Sequence, residues 1–203
     1  MKNKKILLIS SFIFIVLNIF NSVFAENLNI KAKNINIDKE TKLIIFEGNV
    51  IAIDNNNNVL ETEKAEYNKS EDTLIAKQKV KIRTSEGYEI ISENIYFNNI
   101  KGIISSNRNS QITDIDGNII NVEMFEYNRN KNLLFSKGNI KIIDVKKNIY
   151  KFSEIYIDEK KNKIIGSDLR AFFNPNSLGS NSKNDPRIFG NSISISEDKS
   201  EIG

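Results

Sequence analysis

The chain has no cysteine and no histidine, and only two prolines in 203 residues. Without cysteine an exported chain has no disulfide to staple it and no thiol to carry a lipid. Without histidine there is no imidazole acid–base chemistry, no histidine-based triad and no histidine-containing metal site. Both prolines, Pro175 and Pro186, come late, so nothing before them withholds an N–H from a ladder of strands. Gly-rich phosphate loops and the Gly-x-Ser-x-Gly elbow are also missing. After the first 25 residues no long apolar run and no helical periodicity occurs.

Residues 1–25 read as a secretory signal peptide. Lys2, Lys4 and Lys5 form a positive start, Ile6–Phe20 is almost wholly apolar, and Val23-Phe24-Ala25 offers a cleavage site. The competing reading is an uncleaved anchor, for which the run is short against the roughly 20 residues of a bilayer span. The whole chain carries 29 basic and 26 acidic residues. Three of the basic ones precede Ala25 and no acid does, so the remainder is formally neutral. It lacks the basic patch that nucleic-acid binding needs.

What is present is a repeat. Val122–Val145 reads as apolar strand, Asn-rich turn, apolar strand, and the same unit returns every 30 residues. Ile37, Tyr67, Phe97, Tyr127 and Ile157 form one series, each preceded two residues earlier by an apolar residue and followed by Asp or Asn. Ile44, Leu74, Ile104, Leu134 and Ile164 form a second. Val50, Val80 and Ile140 form a weaker third, broken by Ser110 and Arg170. A fixed period of this size means stacked units. Turn signals every 12–16 residues leave no room for crossover helices, so the expected fold is all-β and antiparallel. Asp116-Gly117 is a two-residue hairpin signal.

The expected organisation is signal peptide over 1–25, stacked hairpins over 26–173, a polar loop over 174–187, and a terminal strand and tail over 188–203. Each hairpin has one apolar face that it cannot bury alone. Stacking is expected to bring two sheets face to face, about 10 Å apart. Ala52, Ala65, Ala76, Ser106, Ser136 and Gly166 stand where large residues would close the core. They predict an open apolar groove, which an acyl chain would fill at roughly 0.8 kcal/mol per buried CH₂. The residues expected to line it are the thirteen of the three series.

Acidic groups at Glu61, Glu63 and Glu66, at Glu86 and Glu89, at Asp114 and Asp116, and at Glu123 and Glu126 raise the question of glycoside hydrolysis by paired carboxylates. Their placement on alternating strands and in turns makes solvent-facing positions the better reading. Asp114–Asn118 shares the start of a calcium loop but lacks the later Glu, and reads as a hairpin turn. No catalytic residue, metal or cofactor is expected.

The phrases at Ile35–Val50, Ala65–Ile82 and Phe125–Ile142 (INIDKETKLIIFEGNV, AEYNKSEDTLIAKQKVKI, FEYNRNKNLLFSKGNIKI) resemble the OstA-like repeats of bacterial lipopolysaccharide transport proteins. The resemblance covers nearly all of the chain after residue 25. It implies an antiparallel β-jellyroll, an open taco-like stack whose interior carries the acyl chains of lipopolysaccharide. It also implies a periplasmic location and edge-strand pairing with other jellyrolls of the same transport bridge. Two placements follow. Residues 186–202 (PRIFGNSISISEDKSEI) are similar to the stretch leading from jellyroll to barrel in the outer-membrane assembly protein, which is the preferred placement and implies an outer-membrane lipoprotein partner if a barrel follows. The free periplasmic bridge protein is the alternative. From another class, a secreted polysaccharide-binding solenoid or a structural β-sandwich with a closed core remains open.

Overall fold

The computed structural model describes residues 28–158, 160–161, 163–174, 187–196 and 199–203. The signal peptide and most of the expected polar loop lie outside the described residues. The strands are β1 (Asn29–Lys31), β2 (Asn34–Asp38), β3 (Leu43–Ile53), β4 (Val59–Asn68), β5 (Thr73–Arg83), β6 (Glu89–Asn98), β7 (Ile103–Ser106) and β8 (Ser110–Thr113). They continue as β9 (Ile119–Val122), β10 (Met124–Asn128), β11 (Leu133–Ile143), β12 (Ile149–Asp158), β13 (Lys163–Phe172), β14 (Arg187–Ser196) and β15 (Lys199–Ile202). All pairings are antiparallel, as an all-β jellyroll requires.

The two layers belong to one hydrogen-bonded sheet rather than to two separate sheets. Each long strand crosses from one layer to the other. The crossing is made by a bulge, where the register slips at Glu47/Val50 on β3, Lys77/Val80 on β5 and Lys137/Ile140 on β11. One extra residue bends a strand and sharpens its twist. The bulges are therefore spaced by the repeat, and Gly48, Asn49, Gln78, Lys79 and Gly138 adopt positive φ there. Thr62, buried on β4, donates its hydroxyl to the Lys77 carbonyl at 2.7 Å and so satisfies the bent backbone.

Burial alternates along the strands with a period of two, as in β11 (Leu133–Ile143) and β13. The inward residues of both layers meet in one core. Outward positions carry ion pairs such as Lys64–Glu47 (2.9 Å), Lys77–Glu66 (2.8 Å) and Lys81–Glu89 (2.6 Å). At such partly exposed sites each is worth about 0–1 kcal/mol. The acids singled out in the sequence at Glu66 and Glu89 are thus on the outer face, as expected.

Two local expectations change. Asp116-Gly117 does not form a two-residue hairpin turn. Asp114 N donates to Asn118 O at 3.1 Å, so the loop holds three residues, and Gly117 takes the left-handed conformation (φ 86°). This is a turn followed by a bulge, for which Gly serves equally well. The end of the chain also holds one strand more than expected, because Arg187–Ser196 (β14) pairs antiparallel with Lys199–Ile202 (β15).

Candidate functional site: the inner face of the coiled sheet

The first two sequence series are one physical object. Ile37 lies opposite Ile44, Ile44 opposite Tyr67, Tyr67 opposite Leu74, and Leu74 opposite Phe97. The row continues through Ile104, Tyr127, Leu134, Ile157 and Ile164 to Ile195. Directly opposed apolar side chains stabilise neighbouring strands by roughly 0.2–1 kcal/mol per pair. The row runs unbroken from β2 to β14 across one layer, and on the edge strand β15 Ser200 stands opposite Ile195.

Its exposure is graded. Ile37 is 60% exposed and Ile44 and Tyr67 are half-buried, whereas Leu74, Phe97, Ile104, Tyr127, Leu134, Ile157 and Ile164 are buried. Ile37 faces inward by register but stands at the end of the stack, where no further hairpin among the described residues covers it. Ile35, beside it on β2, is 53% exposed. At this open end Tyr67 donates its hydroxyl to Asp72 Oδ1 at 2.9 Å. Burial and the neighbouring Asp72 push its phenol above the ordinary range.

Val50, Val80 and Ile140 of the third series are buried in the other layer. Beside them runs a second row that the sequence reading missed: Ala52, Leu60, Ile82, Ile90, Ile112, Ile120, Ile142, Tyr150, Ala171 and Ile188. The signal was available. Leu60, Ile90, Ile120 and Tyr150 are themselves 30 residues apart.

The small residues do not leave a groove in this conformation. Ala65 lies opposite Ala76, but Phe46 and Ile95 flank them on the next strands. Ser106 and Ser136 lie on either side of Phe125. A Cβ at Gly166 would stand 2.9 Å from Phe152 Cδ1 and 3.0 Å from Ile193 Cγ2. Each small residue makes room for a large neighbour, and Ala52, Ala65, Ala76, Ser106 and Ser136 are all buried. The interior is closed along the middle of the stack and open at the β1–β2 end.

Polar ladders hold the two rows of turns. In one row, Lys69 N, Asn99 N and Arg129 N donate to Lys42 O, Asp72 O and Gly102 O at 3.1, 3.0 and 2.7 Å. In the other, Asn58, Asn118 and Asn148 are buried and accept from Ser85 N, Val145 N and Asn174 N at 2.9, 3.0 and 2.8 Å. Each of these asparagines also binds the Asp four residues earlier through its side-chain NH₂. Successive hairpins are thereby tied along both rows, except that Tyr88 stands where the second row would need an asparagine.

Tyr150 gives this end a pH dependence. Its hydroxyl donates to Asp144 Oδ2 at 3.3 Å. Burial, and then the Asp144 charge, raise its pKa far above the ordinary 10. The neutral phenol is favoured in the folded state, so this stabilisation is full below about pH 10 and is lost as pH rises toward the folded value. Denaturation midpoints measured through the alkaline range are expected to fall less steeply for Tyr150→Phe than for the natural chain.

No family model matches the chain and no curated protein is similar to it. Among solved structures, it is similar to LptH, the LptA-homologous periplasmic component of the conserved lipopolysaccharide transport device from Pseudomonas aeruginosa. The match covers 81% of this chain and 94% of that one, at 10% identity and a TM-score of 0.30. So loose a likeness carries no inference about function, and the fold rests on the strand order given above.

Proposed function

We propose that this chain is a non-enzymatic carrier of lipopolysaccharide in the periplasm. Acyl chains would travel along the inner face of the coiled sheet, as one jellyroll of a bridge to the outer membrane. The observation that carries this reading is the unbroken apolar row from the exposed Ile37 to Ile195, open at one end. The resemblance of the repeats to OstA-like sequences supports it. The interior is closed, so admitting an acyl chain requires the two layers to part. The bulges, spaced by the repeat, are the hinges about which they would do so. The edges β2 and β15 would pair with neighbouring jellyrolls, since an unpaired edge strand is a ready template for another.

Two placements share this mechanism. In one the chain is the N-terminal jellyroll of an outer-membrane assembly protein with a lipoprotein partner. In the other it is the free bridge protein. Fractionation separates them, because the first sediments with outer membrane and the second stays in the periplasmic extract.

The test is photocrosslinking in cells from positions 67 and 127, followed by probing for lipopolysaccharide. Crosslinks at both positions are expected, at the half-buried entrance and in the fully buried middle. A folded, exported protein with a crosslink at neither position would overturn the carrier reading. The near-complete burial of Leu74 and Tyr127, each 1% exposed, favours one other reading, a structural β-sandwich with a permanently closed core. That reading predicts silence at 127 under all conditions.

A further inference from the structure

The bend between layers is not uniform. In the middle of the stack it is wider than a bulge. β7 stops at Ser106 and β8 starts at Ser110, while β9 stops at Val122 and β10 starts at Met124. β6 pairs with β8 through Glu89–Ser92 and with β7 through Tyr96–Asn98, so residues 93–95 between them have no registered partner on that side. Ser110, the residue that interrupts the Val50, Val80 and Ile140 series, lies at this break. Its hydroxyl donates to Ser92 Oγ at 2.9 Å, and Ser92 Oγ lies 3.1 Å from Ser106 Oγ.

A cavity of about 650 Å³ lies over the break, within the roughly 300–1,000 Å³ of small-molecule sites. Its exposed apolar part is Ile91, with the buried Val122 beneath, and its polar part carries the carboxamides of Asn109, Gln111, Asn121 and Asn139 and the carboxylates of Glu93 and Glu123, of which Glu123 accepts from the Asn139 NH₂. Gln111 and Asn121 are directly opposed on β8 and β9, and Gln111 Nε2 donates to Asn121 Oδ1 at 3.1 Å. Gln111 Oε1 and the Asn121 NH₂ are left without partners among the described residues. Lys79 on β5 and Lys141 on β11 bound the cavity. These strands are four spacings apart, roughly 19 Å at about 4.8 Å each.

We propose that this cleft is a saccharide-binding site. A carbonyl acceptor and an NH₂ donor held side by side match neighbouring sugar hydroxyls, which both donate and accept. Ile91, 43% exposed, offers an apolar surface to the C–H face of a sugar ring. The identity of the sugar rests on the carrier reading: it is the oligosaccharide of the same glycolipid, held outside while the acyl chains lie inside.

The test is a titration of the full exported chain with lipopolysaccharide oligosaccharide stripped of all acyl chains, followed by NMR of side-chain amides. Shifts are expected at Gln111 and Asn121, and binding about tenfold weaker in the double variant Gln111→Ala/Asn121→Ala. Should that variant unfold, the single change at exposed Gln111 serves in its place. Absence of amide shifts, or unchanged affinity in the variant, overturns the site. The two readings fail separately. Oligosaccharide binding without acyl crosslinks at 67 and 127 retains the site and removes the carrier. Crosslinks without oligosaccharide binding do the reverse.

Discussion

Phe125→Ala is expected to destabilise the protein by about 4–5 kcal/mol, the upper end for removing a buried ring. The reason lies in its neighbours. The ring is 1% exposed, and Ser106 and Ser136 stand directly opposite it on the adjacent strands. Neither can swing into the void. Ser136 Oγ is bonded to Met124 O at 2.8 Å and Ser106 Oγ to Asn94 Oδ1 at 2.9 Å. The penalty for such a substitution grows with the cavity that remains, and here short, tethered neighbours preserve all of it. Phe46→Ala is the control. Phe46 lies between Ala65 and the exposed Ile35 near the open end, where the chain can settle and solvent is close. Its loss is expected to cost clearly less. Urea midpoints of the two variants measure the difference, and equal midpoints would mean that the middle of the stack is no better sealed than its end.

Asn118→Ala is expected to cost about 2–4 kcal/mol, although it removes no apolar area of consequence. Asn118 is 1% exposed. Its side chain donates to Asp114 Oδ2 at 2.6 Å and accepts from Val145 N at 3.0 Å. Alanine leaves a buried carboxylate short of a donor and strands the Val145 N–H. Each unsatisfied group costs about 1–3 kcal/mol, more when charged. For a chain of this length each kcal/mol lowers the melting temperature by roughly 2–4 °C. Amide exchange gives the sharper readout. Val145 N–H is expected to lose protection in Asn118→Ala, while Ser85 N–H, which depends on Asn58, keeps it.

These two residues also mark the limits of what the sequence disclosed. The 30-residue period made the inward series legible, since hairpins stacked in register turn a sequence interval into a cross-strand row. Phe125 was recognisable as inward for that reason. Its tight surroundings were not, because the volume complementing Ser106 and Ser136 comes from other strands. The same blindness made Gly166 look like part of a groove when Phe152 fills the space. Ile37 looked equivalent to Tyr127, and by register it is. Its exposure comes from its place at the end of the stack, which periodicity cannot express. Asn118 was read as a turn residue, which it is. The bond to Val145, 27 residues on, is invisible without knowing that successive turns lie side by side. The wide break near Ser110 had a faint trace, as a gap in an apolar series.

The turn ladders bear on how such a chain can evolve. Each tie joins a hairpin only to its neighbour, and the donor and acceptor stand 26 or 27 residues apart. Where the repeat is regular, a gene rearrangement that duplicates or removes one whole 30-residue block leaves the turn N–H groups and inward residues with equivalent partners; the block holding Tyr88 and the break at Ser110 is the exception. The molecule would change in length by two strands, about 9.6 Å at 4.8 Å per strand. A single codon inserted in a strand instead reverses the faces of the residues beyond it unless a bulge absorbs it. Length along the stack therefore changes most readily in steps of one hairpin.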